Sequence, residues 1–295
     1  MPRIEGLDKE GVHTMGSLSD TWKLREAAKY AIKVVVIGAG FVGLEAAIAL
    51  RKLGKEVVVV EMLERVLPKM LDADMAAIVQ EMLEANDIQI RLGDQVTEVL
   101  GEKHATGVRL KDSDIDCDLV VMGIGVRPNV EFLKGSAVKV NRGVIVDDRM
   151  QTTVADVYAA GEIVETLDPL LGLPRIAAIW PNAIEQGRVA GRNMAGFETH
   201  YSGLQSVNII NIFDVPVVAL GLMSSDVDGS ESLVVSRGGN TRKLIVKDDR
   251  PIGVQSIGYV RNLGYLFGLI NKGQKLGDLR ERVLDERFAY PVGTR

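Results

Sequence analysis

The chain has a single cysteine, Cys117, among 295 residues. No disulfide can form within it, and no dithiol redox centre can be built from it. Cys117 lies in the apolar run from Ile115 to Val121, where a small buried residue on a strand is its expected role. Histidines are equally few: His13, His104 and His200 stand far apart without ligand spacing, so no protein-bound metal is expected. Aromatic residues make up only 5% of the sequence, and no basic run is interleaved with them. Lys and Arg number 35 against 40 Asp and Glu, a mildly acidic balance that disfavours nucleic acid or an anionic membrane as partner. The longest apolar stretches are strand-length, far short of the roughly 20 residues that span a bilayer. The N-terminal MPRIEGLDKEGVHT has no apolar core of a signal peptide, so the expected location is the cytoplasm.

What the chain does have is the stretch KVVVIGAGFVGLEAAIALRKLGKEVVVVE, Lys33 to Glu61. Val34 to Ile37 are apolar and β-branched, which suits a strand buried on both faces of a parallel sheet. Gly38 then supplies a tight turn, Gly40 removes a side chain where the backbone must approach a pyrophosphate, and Gly43 lets the next helix pack on the strand. Phosphates there meet free N–H groups and the positive end of the helix dipole. Apolar residues at helical spacing predict a helix from Phe41 to Leu53 with Gly54 past its end. Val57 to Val60 form the second strand, and Glu61 at its end is placed to accept hydrogen bonds from the adenosine ribose. A 2′-phosphate would be repelled by that carboxylate, so the unit reads as a site for NAD(H) rather than NADP(H), although Arg65 just beyond leaves some room for a phosphate.

The length suggests more than one core. Ser19-Asp20 offers an N-cap for a helix from Thr21 to Tyr30, after a lead-in with turns at Gly6 and Gly11. Asp74 is read as the cap of a helix from Met75 to Ala85, with Ile88 to Leu92 as the third strand. Residues 95 to 121 carry three more short strands, the last being Asp118 to Met122, so a parallel sheet takes an antiparallel excursion. The segment Thr152 to Glu162 reads as a short strand ending at a glycine and an acid. Pro181 to Met194 reads as a helix with Ala183, Ile184, Val189, Ala190 and Met194 inward. From Tyr201 the texture changes to regular short strands with turns such as Gly238-Gly239-Asn240, then a helix near Asn262 to Lys272, which marks an antiparallel module.

Four motifs in this order resemble the pyridine nucleotide-disulfide oxidoreductase superfamily, and most closely the branch of rubredoxin reductase, ferredoxin-type reductases, NADH oxidases and the flavoprotein part of nitrite reductase. They are Gly38-x-Gly40-x-x-Gly43-x-Glu45, Gly123-Ile-Gly125-Val-Arg-Pro128-Asn129, Val157-Tyr-Ala-Ala-Gly161-Glu162 and Ile179-Trp180-Pro-Asn182-Ala183-Ile-Glu-Gln186-Gly187-Arg188. The later Val260-Arg-Asn-Leu-Gly and Lys275-Leu-Gly-Asp-Leu-Arg are similar to the interface domain of that branch. The resemblance implies an α/β fold in which a Rossmann-like NAD-binding domain, 31–130, is inserted in a partial FAD-binding domain. Residues 1–30 would be its connector and helix, 131–200 its remainder, and 201–295 an α+β interface domain with an antiparallel sheet.

It also implies roles. Gly38, Gly40, Gly43 and Glu61 hold NAD, Glu45 lies near the nicotinamide, and Gly125 belongs to the same cofactor set. Gly161 and Glu162 match the segment that meets the flavin ribityl and pyrophosphate, and Trp180 matches an aromatic against the flavin ring. Glu162 stands where the family usually has Asp. The family's first strand-GxGxxG-helix, which holds the ADP half of FAD, has no counterpart here. Two expectations follow: an NADH-dependent flavoprotein oxidoreductase component whose FAD half sits on another polypeptide, or an NAD(H)-binding scaffold or sensor without turnover. In the first, hydride passes from nicotinamide to flavin with no catalytic side chain required, and electrons leave to an acceptor protein or small molecule. The resemblance also implies a homodimer through 201–295, the alternative being that this module is a lid packed on its own chain.

Overall fold

A strand turns successive side chains to opposite sides of its sheet, so an unbroken valine run needs an apolar layer on each side. Val34 and Val36 join a core with Leu44, Ala47 and Ile48 of the following helix, while Val35 and Ile37 join a second core with Val99, Val108 and Leu110. In this computed structural model the described residues are 4–176, 178–203, 206–280 and 282–285. The outer ends of the 1–30 and 201–295 segments therefore lie outside them.

The elements run β1 (Val12–Thr14), α1 (Leu18–Ala28), β2 (Lys33–Ile37), α2 (Phe41–Lys52), β3 (Glu56–Val60), α3 (Ala73–Glu84), β4 (Ile88–Arg91), β5 (Glu98–Leu100), β6 (Gly107–Arg109), β7 (Asp114–Asp116) and β8 (Leu119–Met122). Five of them form a parallel sheet in the order β1-β8-β2-β3-β4. The antiparallel sheet β5-β6-β7 covers its other side. The strand order reverses between β8 and β2, and such a switch point opens a crevice at the carboxyl ends of the strands. Asp118 sets the register there: the N–H groups of Lys33 and Ile32 both donate to its Oδ2 at 2.9 Å, and these bonds hold its carboxyl below the usual carboxylate range.

Several local expectations need correction. The lead-in contains β1, whose pairing with β8 adds an edge to the parallel sheet. Ser17, not Ser19-Asp20, caps α1, because Asp20 N–H donates to Ser17 Oγ (3.1 Å) while Ser17 Oγ donates to Asp20 Oδ2 (2.8 Å). Asp72 rather than Asp74 occupies the N-cap position of α3. Four strands, not three, fall between residues 95 and 122, because a turn in which Leu110 N–H donates to Ser113 O splits the run into β6 and β7. Cys117 lies between β7 and β8, buried but on neither strand.

The chain divides into two compact units, one of Met1–Val126, Asn208–Ala219 and Met223–Arg295, the other of Arg127–Val207 and Leu220–Leu222. The second unit holds β9 (Val144–Ile145), β10 (Val164–Asp168), β11 (Leu173–Arg175) and α4 (Trp180–Met194). Thr152 to Glu162 is no strand: two isolated bridges, Thr152 with Val146 and Gln151 with Tyr158, surround a tight turn with Asp156 at φ 61°. The inner face of α4 also differs from expectation. Asn182, Gln186, Val189, Ala190 and Asn193 are buried, while Ile184 and Met194 are exposed. Asn193 explains part of this, since its Nδ2 donates to the Thr199 carbonyl (2.7 Å) and its Oδ1 accepts from Thr199 N–H (3.0 Å), closing the loop after the helix.

The last elements are β12 (Val207–Ile212), β13 (Val215–Gly221), β14 (Glu231–Arg237), β15 (Asn240–Lys247), β16 (Arg250–Ile257) and α5 (Leu263–Lys272). They form a five-stranded sheet in the order β12-β13-β16-β15-β14, with both pairs on β15 antiparallel. Ile210, Ile212, Val217, Ala219 and Ile257 belong to the same core as α2 and α3. A Rossmann-like parallel sheet and an antiparallel sheet are thus both present, as the resemblance implied.

Candidate dinucleotide site

The turn from β2 to α2 is built by contact between backbones. Gly38 has φ +102°, and a Cβ on it would sit 2.6 Å from Gly123 O. A Cβ on Gly43 would strike the carbonyl oxygen of Gly38, and one on Gly123 would lie 2.6 Å from Gly43 Cα. Gly38 N–H donates to Val60 O at 2.7 Å and Gly123 N–H to Ile37 O at 2.8 Å. The ends of β2, β3 and β8 and the start of α2 are therefore locked together where no side chain fits. Gly123 is a packing position of this turn that the motif reading left without a role. Its signal was an apolar strand ending in glycine, as β2 does. Gly43→Ala should cost about 1–3 kcal/mol, because the atom it meets is backbone and cannot rotate away; a urea unfolding midpoint equal to wild type would rule out this packing account.

Gly40 is different. It is the N-cap of α2 with φ −79° and ψ −173°, a conformation open to any residue. Among the described residues, no atom beyond its chain neighbours and the helix backbone lies within 4 Å of where its Cβ would be. Nothing among the described residues requires glycine there, and the open space lies over a helix N-terminus with no side-chain cap. That is what close approach of an external phosphate would require.

Glu61 is buried, 9% exposed, at the end of β3. Its Oε2 accepts from Ala39 N–H (2.8 Å) and its Oε1 from Leu63 N–H (2.9 Å). The carboxylate thus ties the glycine turn to the loop after β3, and each oxygen keeps a further lone pair for a donor such as a ribose hydroxyl. Arg65 points to its own loop, donating to the carbonyls of Leu71 and Pro68 (both 3.2 Å). Its guanidinium is held away from the role of phosphate partner. Glu45 is exposed on α2. Gly125, at φ +85° with open space around its missing Cβ, lines a cleft of ≈ 590 Å³ together with His13, Asp20, Lys23, Val42 and Val126. Burial, and then the Lys23 ammonium, push the His13 imidazole below its usual range despite Asp20, so it is neutral at pH 7.

The remaining candidates, Gly161, Glu162 and Trp180, lie in the other unit. Gly161, at φ +93°, donates its N–H to Oε1 of the buried Gln186 at 2.9 Å. Tyr201 OH donates to Asn182 Oδ1 (3.2 Å), so buried polar groups of α4 fix both the glycine turn and the following loop. Gln186 is a positioning residue that the apolar pattern of α4 concealed. Trp180 opens the same helix and is 76% exposed, and Glu162 is exposed beside Gly161.

Cys117 takes no part in this chemistry. Burial pushes its thiol up to about 11, and it packs among Val35, Val99 and Val120 on the side of the sheet away from α2. Among the described residues no group of three or more His, Cys, Asp or Glu could hold a metal ion, and no helix is long and apolar enough to cross a membrane.

A parallel sheet with a glycine turn at its switch point, an uncapped helix N-terminus and a terminal acid define a dinucleotide-binding oxidoreductase fold. The chain belongs to the pyridine nucleotide-disulphide oxidoreductase family, whose description it matches over residues 1–187, a family of NAD(P)H-dependent flavoproteins that use NAD(H) and FAD. It is 36% identical over 228 residues to an NADH oxidase of Methanocaldococcus jannaschii, a match covering 75% of this chain and 50% of that protein. An NAD-dependent persulfide reductase from A. fulgidus superposes with a TM-score of 0.89 at 31% identity, over 98% of this chain and 57% of that one. An FAD-dependent oxidoreductase of the family from Desulfovibrio vulgaris gives a TM-score of 0.84 at 26% identity, over 95% of this chain and 75% of that one. The chain thus spans about half the length of the first two.

Proposed function

We propose that this chain is the NADH-binding part of a flavin-dependent oxidoreductase. Residues 31–130 bind NADH, 131–200 contribute to the flavin site, and 201–295 carry a homodimer contact. When bound, NADH supplies a hydride to the flavin, from which electrons pass to an acceptor. The chain's own residues bind and orient: the N–H groups at the start of α2 face the pyrophosphate, and Glu61 faces the adenosine ribose. The same carboxylate, together with the commitment of Arg65 to the carbonyls of its own loop, favours NADH over NADPH.

The observation that carries the reading is the Gly161 turn. The buried Gln186 holds it at positive φ from the same helix that Trp180 opens, and that tryptophan leaves a large aromatic face, 76% exposed, free to meet a flavin ring. The test is to titrate the purified chain with NADH, then add FAD together with a flavin domain from a family member in trans. Binding of NADH followed by a flavin spectrum that NADH bleaches supports the proposal. A preparation that binds NADH yet stays colourless under all conditions refutes it and leaves the scaffold reading.

A further inference from the structure

The outer strand of the antiparallel sheet, β14, has a partner on one side only among the described residues. It reads Glu231-Ser-Leu-Val-Val-Ser-Arg237, a sequence that reverses onto itself about Val234 with an acid at one end and a base at the other. Gly238 and Gly239, at φ 57° and 80°, join it to β15, pairing Arg237 with Asn240. Positive φ at both positions makes this a two-residue type I′ hairpin. The residues flanking such a turn exchange both hydrogen bonds, and pairs alternate along the ladder from there. Arg237, Val235, Leu233 and Glu231 therefore bond toward β15, and Ser236, Val234 and Ser232 direct their N–H and C=O groups off the free edge.

We infer that β14 pairs antiparallel with β14 of a second copy of this chain about a twofold axis at Val234. The axis sets Val234 against its own counterpart and Ser232 against Ser236, both in the hydrogen-bonding positions. Leu233 then faces Val235, and Glu231 faces Arg237, each twice by symmetry. Opposite charges at directly facing positions stabilise such a pair and like charges oppose it. Glu231 is already oriented by Arg280, 2.6 Å from it, and Arg237 makes no ion pair among the described residues. The strand also lacks the usual protections of a solitary edge. It has no proline and no central lysine, and Val234 is 51% exposed at its middle.

This inference rests on the homodimer reading above and gives it a surface. The test is sedimentation equilibrium of the full chain, with amide hydrogen exchange on the same samples. Wild type should dimerise with Ser232, Val234 and Ser236 amides protected. Arg237→Glu places acids opposite each other at both ends, and Val234→Lys places two ammonium groups at the axis; each should weaken dimerisation at least about tenfold. Glu231→Arg with Arg237→Glu, made together with Arg280→Gln so that no guanidinium faces the new arginine within the chain, restores opposite charges and should return the affinity to within about threefold of wild type, which a merely misfolded single variant could not do. A dimer that both single variants leave intact, with those three amides unprotected, overturns the edge pairing but leaves the homodimer. A monomeric wild type overturns both.

Discussion

Gly40→Asn should leave the melting temperature unchanged or slightly higher while weakening NADH binding about a hundredfold, or ~2.7 kcal/mol. The two effects separate because the chain's own structure does not need this glycine. Its backbone angles suit any residue, its Cβ would meet no other part of the described chain within 4 Å, and it occupies the N-cap of α2. Asparagine is among the preferred N-caps, so the helix gains an acceptor for its free N–H groups. That acceptor would fill the space and satisfy the donors that a pyrophosphate needs, and its carbonyl oxygen would repel the phosphate. A thermal melt and a fluorescence titration with NADH on one preparation check both halves. If the variant binds NADH within about threefold of wild type, the phosphates do not lie over Gly40. Gly43→Ala should behave in the opposite way, losing stability first, because its obstacle is the carbonyl of Gly38.

The difference between these two glycines marks how far the sequence could be read. The strand, turn, helix and second strand from Lys33 to Glu61 were legible because each has a strong local signal: β-branched runs for buried strands, glycines at fixed spacing, apolar residues at helical period. The short β1 was not, since Val12-His-Thr14 has no pattern of its own and becomes a strand only by lying beside β8. The polar inner face of α4 was hidden for a related reason. Gln186 and Asn193 are buried by what they bond, Gly161 N–H and the Thr199 backbone, and hydrophobic periodicity detects only apolar burial. Glu61 shows the same limit at the site itself. Its position after β3 was readable, but its two bonds to Ala39 and Leu63 N–H depend on how the loop after β3 folds back over the glycine turn. The split of β6 from β7 and the choice of Asp72 over Asp74 as N-cap are also tertiary decisions. Asp72 is fixed by partners more than 150 positions along the chain.

Lys243→Met should destabilise the protein by about 3–5 kcal/mol, the cost of leaving one member of a buried ion pair alone. Lys243 on β15 reaches Asp72 at 2.9 Å and Asp74 at 2.8 Å, and the Lys243 and Asp72 side chains are only 7% and 6% exposed. Asp72 also accepts from Ser224 N–H (3.0 Å), and its own N–H donates to Gln255 Oε1 (3.0 Å). Asp72 thus joins the start of α3 to β15 and the segment at Ser224 through its carboxylate and to β16 through its own N–H, so stranding that carboxylate would loosen the antiparallel sheet from α3. Burial pushes the Lys243 ammonium down, but Asp74 and Asp72 together outweigh it and hold the group above its ordinary value of 10.5. A raised pKa in the folded state means that the contribution is complete below 10.5 and is lost only as pH climbs through the folded value. Urea unfolding of wild type should therefore show an alkaline loss above that point which Lys243→Met lacks. Asp72→Asn added to Lys243→Met removes the stranded charge yet keeps an acceptor for Ser224, and should recover most of the stability, since replacing both members of a buried pair is far milder than removing one. If the single variant falls within about 1 kcal/mol of wild type, water reaches the pair and the sheet is anchored by its apolar contacts alone.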